Sequence, residues 1–194
     1  MPLLGTFAGA SARAYGLGAG GLAIPAGYNS IATTTVGVGG QASISFTSIP
    51  QTFKHLQVRW LVRGLANVGT DVISLRINSD TSSNYSFHRL YGNGATASSD
   101  SFANQTYVFG GDMPANTAAA SIFAAGVLDI LDYSNTNKYK TTKVTDGRDQ
   151  NGSGFIWFNS ANWRNTNAIT TLTFTAQNGN YAQYSSFALY GIEA

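Results

Sequence analysis

The chain is 194 residues long, enough for one domain with a sizeable core plus an appendage. Eleven Lys and Arg against nine Asp and Glu give a formal charge of +2, too weak a field to mark a nucleic-acid partner. Cysteine is absent, which excludes a disulfide framework or a thiolate metal site. Charged residues are only 10%, where an ordinary domain carries about 25%, so the surface must be built from Ser, Thr, Asn, Gln and Gly. That composition is common in extracellular and virion β proteins and unusual in cytosolic enzymes.

Residues 1–27 hold one charge, Arg13, in an apolar run rich in Gly and Ala. The run carries Leu3, Leu4, Phe7, Tyr15, Leu17, Leu22 and Ile24, yet is too short and glycine-broken to build its own core. It is expected to be an arm held by another protein chain. Gly5 and Gly9 interrupt it and no Lys or Arg precedes it, so a secretory signal is not the expected reading, despite Ala10-Ser11-Ala12. No run approaches the length of a transmembrane helix, and no membrane partner is expected. Burying the seven large side chains yields roughly 10–20 kcal/mol. Ordering 27 residues costs on the order of 1–2 kcal/mol each. The arm therefore also needs backbone hydrogen bonds or packing with copies of itself, which favours a closed homo-oligomer, a trimer first.

Residues 28–40 read as a linker or first edge strand, extended through Thr33–Val36 and bent at Gly37, Gly39 and Gly40. Residues 41–194 read as an all-β domain. Strands are expected over 42–47, 54–64, 71–78 and 85–91, with a polar turn at 79–84 and a hairpin-type Asn93-Gly94. Residues 95–104 are expected to be a Ser/Ala/Thr loop. Strands follow over 105–110, 122–133, 138–146, 154–159, 169–176 and 186–192; within the second, 124–131 is apolar enough to be covered on both faces. Short strands at this spacing favour an antiparallel sandwich, jelly-roll-like. Period-2 spacing puts Leu56, Val58, Trp60, Ile73, Leu75, Ile77, Leu172, Phe174, Phe187 and Leu189 in one core.

The stretches RINSDTSSNYSFHRLYGNG (76–94), LDYSNTNKYKTTKV (131–144), NGSGFIWF (151–158), AITTLTF (168–174) and YSSFALYGI (184–192) together resemble a group of bacteriophage virion proteins, of the tail-fibre or general structural kind. The opening LLGTFAGASARAYG (3–16) is similar to phage structural N-termini. The resemblance implies a virion location and a β-sandwich, and it brings no catalytic residues.

The candidates for chemistry read as structural. Asp129 and Asp132 lie three apart on an expected strand and so face opposite ways. Asp146 and Asp149 flank Gly147-Arg148 in an expected turn, and Glu193 is the sole glutamate. No Gly-x-Ser-x-Gly elbow accompanies His55 or His88, and His88 reads as a hydrogen-bonded strand residue. Two histidines without cysteine make no zinc site. The turn 78–84 has one acid, Asp80, and reads as an Asx turn rather than a calcium loop, so no metal or other cofactor is expected. Lys138, Lys140 and Lys143 are expected to guard a sheet edge against pairing. Trp60 and Trp157 read as core. Trp163 and Arg164, in a polar stretch, are the candidate ligand contacts.

The expected function is a non-enzymatic bacteriophage virion structural protein, a tail fibre, baseplate or other tail-appendage component docked to other virion proteins by its arm. The alternatives are a capsid decoration or head fibre protein, and a carbohydrate-binding module for a host surface glycan.

Overall fold

Alternation of apolar and polar side chains dictates strand β3 (His55–Val62): Leu56, Val58, Trp60 and Val62 are buried, and Arg59 and Leu61 face outward. The same rule builds the rest of the computed structural model, which describes residues 27–193. The remaining strands are β1 (Tyr28–Thr35), β2 (Ser43–Phe46), β4 (Thr70–Ile77), β5 (Tyr85–Gly92), β6 (Ala97–Gln105), β7 (Val108–Pro114), β8 (Ala124–Leu131), β9 (Lys140–Asp149), β10 (Gly154–Trp163), β11 (Leu172–Ala176) and β12 (Ser186–Ile192). The arm residues Leu3, Leu4, Phe7, Arg13, Tyr15, Leu17, Leu22 and Ile24 lie outside the described residues.

Two antiparallel sheets form a sandwich. One has eight strands in the order β1-β12-β3-β8-β9-β10-β5-β6, the other four in the order β2-β11-β4-β7. The pairings nest: β2 with β11, β3 with β8, β4 with β7, β5 with β6. All ten residues expected in the core are buried between the sheets. At its centre the Phe174 and Phe187 rings are 5.1 Å apart, with Trp60 6.1 Å from Phe174. Of residues 28–40, 28–35 form β1, paired to β12 at the edge of the long sheet among the described residues.

Four expectations need correction. The Ser/Ala/Thr stretch expected to loop over 95–104 is strand β6, at the other edge of the long sheet. Its backbone pairs with β5, while its side chains stay mostly exposed, so no apolar alternation marks it. The next strand begins later than expected, at Val108. Strand β8 is buried on one face only, because the short sheet covers a single side of it. Finally, β9 is no edge. It lies between β8 and β10. Of its lysines, Lys140 is fully buried, its ammonium donating to the carbonyls of Asn135 (2.6 Å), Lys138 (3.0 Å) and Thr166 (3.0 Å). Burial lowers its pKa, and Lys138 adds repulsion. Lys138 itself pairs with Asp132, and Lys143 is exposed.

Arg63 closes one end of the sandwich. Its guanidinium donates to the carbonyls of Ala115, Ala118, Ala119 and Ile122, at 2.8–3.0 Å, and gathers the β7–β8 connection around one cation.

Candidate functional site

Among the described residues nothing covers the outer face of the long sheet. Its register aligns side chains into rows across the strands. One row runs Tyr190, Gln57, Asp129, Lys143, Ser160, His88, from β12 to β5. The next runs Arg59, Val127, Thr145, Phe158, Leu90.

Ser160 is small, and the two strands beside it carry long side chains at the paired positions, Lys143 on β9 and His88 on β5. A depression of about 360 Å³ results, lined by His88, Lys143, Ser160, Thr145, Phe158 and Leu90. Phe158 and Leu90, about half exposed, form its apolar side. A smaller hollow of about 190 Å³ continues it over Leu90, Ile156 and Phe158. Among the described residues Lys143 makes no ion pair. An exposed ammonium, a hydroxyl and an imidazole beside half-exposed apolar side chains form an amphipathic contact surface.

Towards β1 the same face carries a fixed guanidinium. Arg59 stacks on Tyr28 and Tyr190, 5.0 and 5.4 Å from the ring centres. Its Nε donates to Gln57 Oε1 at 2.7 Å, and Gln57 Nε2 donates to Asp129 Oδ1 at 2.8 Å. These contacts hold Arg59 and the Asp129 carboxylate in one orientation.

The buried acids lie between the sheets. Asp146 Oδ1 accepts from Trp60 Nε1 at 3.0 Å, and its Oδ2 from the Asp112 backbone N–H at 2.9 Å. Burial pushes its pKa up to about 7, outweighing those two hydrogen bonds. Asp112 is also raised by burial, although Arg148 Nη1 donates to it at 2.7 Å. Both carboxylates are at most 4% exposed, so no substrate reaches them. Asp146 is therefore an inward-facing strand residue and not the expected turn acid. Asp149 does sit at the turn, accepting from the Asn151 N–H at 2.7 Å.

Trp163 is not an exposed contact. It ends β10 at 1% exposure, its Nε1 donating to Asp80 Oδ2 at 2.8 Å. The polar stretch around it is the end of strand β10, whose inner face Trp163 completes. Arg164 is exposed, but its Nη2 donates to the Ser83 carbonyl (2.6 Å) and Asn104 Oδ1 (2.8 Å), tying the β4–β5 turn to β6. The turn itself is the Asx type expected: Asp80 accepts from Ser82 N–H and Asn84 Nδ2. Desolvation would raise its pKa, yet these bonds and that from Trp163 hold it at about 2.

The other acids do not converge. Asp129 faces outward, while Asp132 leaves the strand and pairs with Lys54 (3.0 Å) and Lys138. Glu193 accepts from Asn29 Nδ2 at 2.8 Å. His55 Nδ1 accepts the Asp132 N–H at 3.0 Å. His88, expected to be hydrogen-bonded, is exposed without a side-chain partner among the described residues. No group of three or more His, Asp or Glu with metal-binding proximity occurs among the described residues.

Sequence reasoning missed the Ser160 depression. The available signal was the apolar Ile156 and Phe158 on the face opposite Trp157, but the pairing of Ser160 with Lys143 and His88 is a matter of register.

No family model and no curated protein sequence matches the chain. Among solved structures it is similar to the galectin LEC-6 of Caenorhabditis elegans, at 10% identity over 84% of this chain and 96% of that one, with a TM-score of 0.31.

Proposed function

We propose that this chain is a non-enzymatic recognition component of a bacteriophage virion, placed in a tail fibre, baseplate or other tail appendage, and that the outer face of its long sheet binds a host surface carbohydrate. The observation that carries the binding role is the Ser160 depression, where polar donors stand beside the half-exposed Phe158 and Leu90. Sugars present hydroxyls at the rim and C–H groups on the ring face, and such a mixed lining suits both. The virion setting rests on the resemblance of residues 76–94, 131–144, 151–158, 168–174 and 184–192 to phage structural proteins. The arm, 1–27, supplies docking to other virion proteins in a closed homo-oligomer, a trimer first.

The sandwich belongs, in this proposal, to the jelly rolls. In support, the nested pairs β2–β11, β3–β8, β4–β7 and β5–β6 follow the wrapping of two Greek keys, with β8–β9–β10 occupying one strand's place and β12 and β1 added at the edge. The buried state of Asp112 and Asp146 supports a non-enzymatic reading.

Binding of full-length protein to an array of bacterial surface glycans tests the role; no binding to any glycan overturns it. Antibody labelling of virions tests the position. Label on the head favours the second placement, a capsid decoration or head fibre.

A further inference from the structure

We infer that the Ser160 depression selects an acidic sugar, its carboxylate seated over Ser160 between Lys143 and His88 and its ring face resting on Phe158. The inference rests on the carbohydrate-binding reading and narrows its ligand to one chemical class.

The register brings the three polar groups together. Ser160 pairs directly with Lys143 on one side and His88 on the other. Neighbouring strands are about 4.8 Å apart, so both longer side chains rise on either side of one short hydroxyl. Lys offers three donors, His a ring N–H and Ser a hydroxyl. None of the three groups is itself a carboxylate, and Asp129 stands beyond Lys143 with Oδ1 already engaged by Gln57, so a ligand carboxylate over Ser160 can satisfy several donors at once.

Neighbouring charges set the valence of the ligand. Asp129 pairs with Lys143 from the far side, with Oδ1 engaged by Gln57, and offsets part of the ammonium's field. Arg89, the residue after His88, is turned away and bonded to Asp100 at 2.5–2.7 Å. One ammonium next to a partly compensating aspartate suits a monoanion better than a phosphate dianion.

The adjoining row excludes a bare anion as the natural ligand. Phe158 pairs with Thr145 and Leu90, so an apolar floor begins one step from the donors. A pyranose bearing a carboxylate spans both rows. The volume of about 360 Å³ is at the small end of ligand sites and accommodates one or two rings.

The test is calorimetric titration of the full chain with a glucuronic-acid oligosaccharide, its methyl ester and inorganic phosphate, beside a neutral glycan panel. The acid should bind, and its ester about tenfold more weakly or worse, since the ester offers the donors no charged acceptor. Lys143→Met should give a similar loss and Ser160→Trp should abolish binding, while Asp149→Asn should leave it unchanged. Chemical-shift changes in the unmodified protein, expected at Lys143, Ser160 and His88, keep the test independent of whether a variant folds. Equal binding of acid and ester, or of a neutral glycan alone, overturns the acidic-sugar inference and leaves carbohydrate binding standing. Phosphate binding as tightly as the acid overturns the sugar floor. Binding to no saccharide removes both.

Discussion

Trp60 reaches Asp146 across a strand that separates them. Trp60 on β3 pairs with Gly126 on β8, which pairs in turn with Asp146 on β9. The indole passes over Gly126 to donate its 3.0 Å hydrogen bond to Asp146 Oδ1. The glycine is needed for its missing side chain, since a Cβ there would lie 2.3 Å from Trp60 Cε2. A buried carboxylate obtains its donor by way of that gap.

Gly126→Ala should therefore destabilise the protein by about 3 kcal/mol, from overpacking and the displaced hydrogen bond together. Urea denaturation measures it. A loss under about 0.5 kcal/mol would mean that the indole moves aside at no cost.

Stability should fall as pH rises towards neutrality. Burial raises the folded pKa of Asp146 from 3.8 to about 7. A carboxyl whose folded pKa is raised stabilises fully below its unfolded value, and the contribution is lost as pH climbs through the folded value. Asp112 is shifted in the same direction. Denaturation midpoints should thus decline between about pH 4 and 7, and Asp146→Asn should flatten that slope. Asp80, held at about 2, acts oppositely and costs stability only below about pH 4. A midpoint rising from pH 5 to 7 would contradict the burial argument.

Lys140→Met should cost at least about 2 kcal/mol, because three carbonyls lose a charged donor in the interior. Lys138→Met removes an exposed pair and should cost under about 1 kcal/mol. Parallel denaturation of the two variants checks the contrast; equal losses would refute it.

Deleting residues 1–27 should leave a cooperatively melting sandwich, since the strand pairing of the described residues begins at Tyr28. Light scattering should show a lower mass for the truncation than for the full chain. Equal monomeric masses would remove self-association through the arm, and an unfolded truncation would make the arm part of the core.

The sandwich core was legible because burial imposes period 2: Leu56, Val58 and Trp60 announce their face before any partner is known. Strand β6 was not legible. Its Ser, Asp and Asn side chains bury little, and only backbone pairing with β5 makes it a strand. Polar composition likewise misplaced Trp163, whose partner Asp80 lies 83 positions away. Lys140 looked like a guard on an edge because a lysine's usual home is solvent; three converging carbonyls make an exception that only tertiary structure reveals. The Ser160 depression was illegible for a related reason. Lys143, Ser160 and His88 belong to three strands, and their alignment depends on two registers that no local pattern encodes.

Tension entering the sandwich from residue 27 meets β1 first, and among the described residues the strand partner of β1 is β12. A pull along the strand loads its pairs in shear, from Tyr28↔Ile192 through Thr35↔Ser186, so they must yield together. A sideways pull opens the same pairs one after another, as a zipper opens. The angle at which the chain is tethered therefore sets how much force the sandwich withstands before its edge peels away.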